Sequence, residues 1–189
     1  MKRLIPLLVS LLLTSSLFSQ KIVGYIPQYR SPAVMDATIE WSGMTDAYYF
    51  GSVPTAAGGI TIESPASFQH VLTRSTEYGL NAWLCVGGWN KSGNFISVAT
   101  NATARQAFAD EALRLCQLHG LKGIDIDWEF PQAGQETDFR NFLKTLYETL
   151  NPAGYLVSAA CGGEQGHADR WQGDIFDYID DLNIMSYDA

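Results

Sequence analysis

Short apolar runs alternate with segments of helical periodicity along nearly the whole chain, and this alternation restricts the fold more than any other feature. Residues 22–26 and 47–50 read as two strands, and residues 80–86, 124–128, 156–160 and 182–187 as four more. Between them lie helical stretches. Ser64 reads as an N-cap, with Pro65 at the first helical position and Gly79 as the stop. Phe68, Val71 and Leu72 supply the apolar face of that helix. Residues 103–119 carry Phe108, Ala112, Leu115 and Cys116 on one face and end at Gly120. Phe139, Phe142, Leu143, Leu146, Tyr147 and Leu150 follow the i, i+3, i+4, i+7 rule, and Asn151-Pro152 stops the helix. Ile175, Phe176 and Ile179 suggest a short helix before the last strand.

Strands alternating with helices imply βαβ units, right-handed crossovers and a parallel sheet. The candidates are a doubly wound sheet and a (β/α)8 barrel. A closed barrel needs eight strands and typically about 250 residues. Six strands are counted in the 170 residues that follow residue 19, and the last runs almost into Ala189. A sheet ending there has an uncovered edge. The expectation is therefore an incomplete barrel of about six βα units, a fragment of a domain or the product of a truncated gene.

The N-terminus reads differently. Lys2 and Arg3 precede an apolar run over residues 4–13, broken only by Ser10, and small and polar residues lead to Ser19. This is the pattern of a signal peptide over residues 1–19, with residues 20–189 as the partial barrel. The apolar run is short for a bilayer span, so no stable membrane anchor is expected. An exported protein, secreted or periplasmic, follows. The formal net charge of −8 argues against nucleic-acid binding. Three cysteines make no complete disulfide framework, and Cys116 and Cys161 read as buried free thiols. His70, His119 and His167 are scattered and read as ordinary surface or core residues. Two glycosylation sequons, at Asn90 and Asn101, are short enough to arise by chance.

The chemistry concentrates in Gly123-Ile124-Asp125-Ile126-Asp127-Trp128-Glu129-Phe130-Pro131. Side chains alternate along a strand, so Asp125, Asp127 and Glu129 share one face while Ile124, Ile126 and Trp128 take the other. Acids so close raise one another's pKa, which suits a general acid at neutral pH. Pro131 ends the strand, which places Glu129 at the C-terminal end where parallel α/β folds carry their chemistry. Three readings of these acids compete. They form a solvated acidic face, a set of oxygen ligands for a hard cation, or the acids of a glycosidase. Apolar residues on the opposite face speak against the first, and the absence of a nearby His weakens the second.

This stretch resembles the signature of family 18 glycoside hydrolases, the chitinase family, usually written DGxDxDWE. Other segments agree in order. Gly24-Tyr25 and Tyr48-Tyr49-Phe50 resemble the family's first two strands. Cys85-Val86-Gly87-Gly88-Trp89 resembles its SxGG motif and Met185-Ser186-Tyr187-Asp188 its MxYD motif. The resemblance covers residues 21–189 and stops where the family continues to strands seven and eight.

The resemblance implies a hydrolase of β-1,4-linked N-acetylglucosamine polymers that needs no metal or other cofactor. Its partner is chitin or another N-acetylglucosamine-containing glycan. Glu129 would be the general acid/base. Asp127 would orient the substrate's acetamido group, Asp125 would tune Asp127, and Tyr187 would bind the acetamido carbonyl. Tyr25, Phe50, Gly87, Gly88, Trp89, Met185 and Asp188 would bind sugar. The alternatives are an endo-β-N-acetylglucosaminidase on N-glycan cores, a non-catalytic chitin-binding lectin, or an inactive fragment. Two positions depart from the family pattern. Cys85 stands for the usual Ser and offers a weaker hydrogen bond. Lys122 stands for the first Asp, and its parity with Ile124 and Ile126 suggests an effect on packing rather than chemistry. The tryptophan that floors the family's central sugar site comes from its eighth strand and has no counterpart here.

Overall fold

The computed structural model describes residues 20–187. The signal-peptide segment 1–19 and the sugar-binding expectation for Asp188 lie outside them.

Six strands pair in parallel: β1 (Val23–Pro27), β2 (Asp46–Pro54), β4 (Asn81–Gly87), β5 (Gly123–Asp127), β6 (Leu156–Gly162) and β7 (Asp181–Met185). They lie side by side in that order, and a short β3 (Ile60–Thr61) pairs antiparallel with the end of β2. The helices between them are α1 (Pro32–Thr38), α2 (Pro65–Tyr78), α3 (Phe95–Thr100), α4 (Ala102–His119), α5 (Glu136–Leu150) and α6 (Gln165–Ala168). The sheet is curled into an open barrel, and contacts across its hollow show this. Tyr25 of β1 donates its hydroxyl to Asp125 of β5 at 2.9 Å, past two intervening strands. Lys21, just before β1, pairs with Asp181 at the start of β7 at 2.5 Å.

The two faces of the sheet have different chemistry. Outward, Tyr49, Leu84, Val86, Ile124, Ile126 and Val157 join the apolar faces of α2, α4 and α5 in one core. Phe95, Phe108 and Phe142 pack ring against ring there. Trp128 stacks on Phe95 at 5.4 Å, so the tryptophan beside the acids belongs to this core, as its parity predicted. Inward, Tyr48 stacks on Trp83 at 4.8 Å and floors the hollow. Above that floor lie the acids of β5.

Helix ends follow local rules in most places. Gly79 and Gly120 close α2 and α4 in the left-handed conformation, with φ of 68° and 64°. Asn101 caps α4 by accepting from the N–H groups of Thr103 and Ala104. The expected cap at Ser64 does not form. The residue stands before Pro65, but its backbone is left-handed and its side chain makes no capping bond. Lys122 is exposed and precedes β5 rather than packing with Ile124. Among the described residues all three cysteines are free and buried, and no helix is long and apolar enough to cross a membrane.

Candidate active site

The site is assembled at the C-terminal ends of the strands. In the ladder between β4 and β5, Cys85 stands beside Asp125 and Gly87 beside Asp127. Gly87 has φ of 108°, and a Cβ there would come within 2.1 Å of the Asp127 carbonyl oxygen. Gly88 then donates its N–H to that same oxygen at 2.7 Å. A Cβ on Gly88 would strike the Phe50 ring at 2.5 Å. Both glycines allow the close approach of backbone to the acid strand, and the space a Cβ on Gly88 would fill lies 3.4 Å from Asp127 Oδ2 as well.

Asp125 and Asp127 are buried, at 0% and 4% exposure, which removes the reading of a solvated acidic face. Their surroundings differ. Asp125 accepts from Ser158 Oγ at 2.5 Å, Tyr25 OH at 2.9 Å and Asn183 Nδ2 at 3.2 Å. The Cys85 thiol also lies against this carboxyl. A cation would have to displace these donors. Asp127 has no such shell, and its Oδ1 is buried without a hydrogen-bond partner. Burial raises the pKa of Asp125, and its donors pull it back down. Burial, and then the charges of Asp125 and Glu129, push Asp127 up to about 8. Donors stabilise the charged form, so the charge of this coupled pair sits on Asp125 and the proton on Asp127.

Glu129 is not on the strand. β5 ends at Asp127, because the ladder to β6 closes at Ile126 and the chain turns away through Trp128. Strand parity therefore does not set the position of its carboxyl. Burial raises the pKa of Glu129, and a hydrogen bond from the Trp89 backbone N–H and the charge of His167 oppose that rise. Likewise β7 ends at Met185, so Tyr187 stands beyond the strand that was expected to carry it.

A cleft of about 150 Å³ holds Asp127 and Glu129 together with Tyr25, Phe50, Met185 and Tyr187. A second depression of about 400 Å³ adjoins it, lined by Trp89, Trp128, Phe130 and again Glu129. The residues expected to bind sugar are thus divided between two hollows, with Trp89, 69% exposed, apart from the others. Glu129 borders both.

A curled parallel sheet with buried carboxylates at the strand ends defines a barrel-type α/β fold whose polar site lies in the hollow mouth. The sequence profile described as Glycosyl hydrolases family 18 matches residues 21–189. The chain belongs to this family. It is 31% identical over 132 residues to chitinase A1 of Niallia circulans, covering 61% of this chain and 19% of the relative. It is 32% identical over 130 residues to endochitinase 1 of Metarhizium anisopliae, covering 64% and 31%. Among solved structures, chitinase ChiW from Paenibacillus superposes with a TM-score of 0.80 at 23% identity, over 89% of this chain and 24% of that one. The chain thus spans less than a third of the length of the two curated relatives, and the solved structure attests to the fold alone.

Proposed function

We propose that the protein is a secreted glycosidase that hydrolyses β-1,4-linked N-acetylglucosamine polymers, with Glu129 as general acid/base. The observation that carries this reading is the place of Glu129 on the border of the two hollows. A group that protonates the oxygen between two sugars must stand between the sites those sugars occupy. Family membership supports the same reading. Export rests on the leader pattern of residues 1–19 alone.

In the proposed reaction Glu129 gives its proton to the glycosidic oxygen. The carbonyl oxygen of the sugar's own 2-acetamido group attacks the anomeric carbon as the C–O bond to the leaving sugar breaks, forming an oxazolinium ion. No enzyme carboxylate attacks, which is the substrate-assisted exception among glycosidases. Asp127 accepts from the acetamido N–H, and its proton passes to Asp125 behind it as the positive charge develops, so that the negative charge of the pair comes to face the ion. Tyr187 hydrogen-bonds the acetamido carbonyl. Water, deprotonated by Glu129, then attacks the anomeric carbon from the leaving-group side, and the configuration is retained. Tyr25 and Phe50 on one side and Trp89 on the other offer ring faces to the apolar faces of sugars.

The test is to incubate the full-length protein separately with the N-acetylglucosamine tetramer, its fully deacetylated counterpart and a high-mannose glycoprotein. Cleavage of the acetylated tetramer alone is expected. Cleavage of the glycoprotein alone would transfer the reading to N-glycan cores. Binding of the tetramer without cleavage would make the protein a lectin.

A further inference from the structure

We propose that Ser92 and His167 are positioning residues for Glu129, which together set where its carboxyl stands. The proposal rests on the reading of Glu129 as the acid and adds how that acid is held. β5 ends two residues earlier, at Asp127, so the sheet ladder does not fix Glu129. Two neighbouring loops hold the segment from opposite sides.

On one side is Ser92, buried in the loop after β4. Its Oγ accepts from the Glu129 backbone N–H at 3.0 Å. The same hydroxyl faces the carbonyl oxygens of Gly88 and Asp127 as donor, each at 3.1 Å. One oxygen atom therefore ties the ends of β4 and β5 to the backbone that carries the acid.

On the other side is His167, on the one-turn helix α6 after β6. Its ring lies flat on Phe130, the residue that follows Glu129, with 3.7 Å between ring centres and 16° between planes. The stack is closed beneath by Gly162 at the end of β6. A Cβ there would come within 2.3 Å of His167 Nδ1 and 3.0 Å of the Phe130 ring. The loop carrying His167 is itself anchored to α5, through Arg170 on Glu136 at 2.6 Å and Trp171 against Phe139. His167 thus works as a wedge. It fills the gap between β6 and Phe130 and keeps the peptide after Glu129 from swinging into the second hollow.

The experiment compares Ser92→Ala, His167→Ala and His167→Phe in the full-length protein, with the N-acetylglucosamine tetramer as substrate. Phenylalanine keeps the stack and removes the ring nitrogens. We expect the two alanine variants to lose about tenfold or more in kcat with KM within about threefold. His167→Phe should stay within about threefold of the parent in both. A second readout needs no turnover. In protein labelled with 13C at glutamate side chains, the Glu129 carboxyl signal, assigned by its loss in Glu129→Gln, should titrate at a shifted pH in both alanine variants. In His167→Phe it should move only by the loss of the imidazole charge, and so by less than in His167→Ala. If the parent cleaves nothing, the proposed function fails while the titration still decides the positioning. Alanine variants with parental titration would overturn the proposal. So would a His167→Phe variant as impaired as His167→Ala, since the imidazole charge and not the stack would then carry the effect. A destabilised Ser92→Ala protein would leave the His167 pair to decide, and circular dichroism identifies that case.

Discussion

Glu129→Gln is expected to lower kcat on the N-acetylglucosamine tetramer by about a thousandfold or more, with KM changed by less than about threefold. Glutamine has nearly the same shape and keeps an acceptor oxygen, so the cleft and its contacts survive the change. What it lacks is a transferable proton. General acid catalysis typically contributes about 10²- to 10⁴-fold, and Glu129 serves both steps. A loss concentrated in kcat identifies an interaction made only in the transition state. Steady-state kinetics on purified parent and variant measure it. A loss divided evenly between kcat and KM would instead make Glu129 a binding residue. The parental rate should also fall at alkaline pH, since burial keeps the Glu129 proton to higher pH than an ordinary glutamate and its loss ends acid catalysis.

Asp127→Asn is expected to act on activity and stability in opposite directions. Activity should fall about a hundredfold or more, because an amide cannot give up a proton and so cannot become the negative partner of an oxazolinium ion as its charge develops. Stability should rise, and only at higher pH. The sign follows from where the proton is held. In the unfolded chain Asp127 ionises near 3.8, whereas in the folded protein it keeps its proton until about 8. Its contribution to stability is therefore complete below pH 3.8 and is lost progressively as pH rises to about 8. Asparagine does not titrate and escapes that loss. At pH 8 the variant should be more stable than the parent by about 1–3 kcal/mol, and near pH 4 the two should be equal. Part of the slope remains in the variant, because burial also raises Asp125 and Glu129. Urea unfolding at pH 4.5 and pH 8 reads the difference directly. A variant less stable than the parent at pH 8 would mean that folding does not raise the Asp127 pKa.

Such a gain on removing a functional group is expected where burial has been set by chemistry rather than by stability. The cost shows in the geometry. Asp127 leaves one buried oxygen without a partner, while three donors converge on Asp125 within 3.2 Å.

Features that depend on short-range order are legible in the sequence. The alternation of Asp125 and Asp127 with Ile124 and Ile126 assigns the two faces of β5, and Trp128 goes to the core as parity requires. Left-handed glycines at 79 and 120 close the helices they were expected to close. Glu129 lies past the end of β5 and Tyr187 past the end of β7, so no ladder fixes them, yet each lines the same cleft as Asp127 and Met185, the faces that the alternation assigned them. The short α1 and α3 carry too few turns to show a periodic apolar face, and the one local signal of α1 is Ser31 before Pro32, a cap that does form. Ser64 looks like a cap but is not one, because the backbone there is left-handed, which no single residue type announces. His167 reads as unremarkable because its value lies in a contact with Phe130, 37 positions away in the chain. Contacts of that kind arise from the curl of the sheet, and only the folded molecule shows them.

The most direct test of the proposed mechanism is the stereochemistry of the product. Proton NMR of the anomeric signals during the first minutes of tetramer hydrolysis by the full-length protein distinguishes the two courses. Attack by the acetamido oxygen followed by water from the opposite face predicts the β-anomer first, relaxing later to the equilibrium mixture. Release of the α-anomer first would mean a single displacement by water. That would contradict the proposed roles of Glu129, Asp127 and the substrate's own acetamido group.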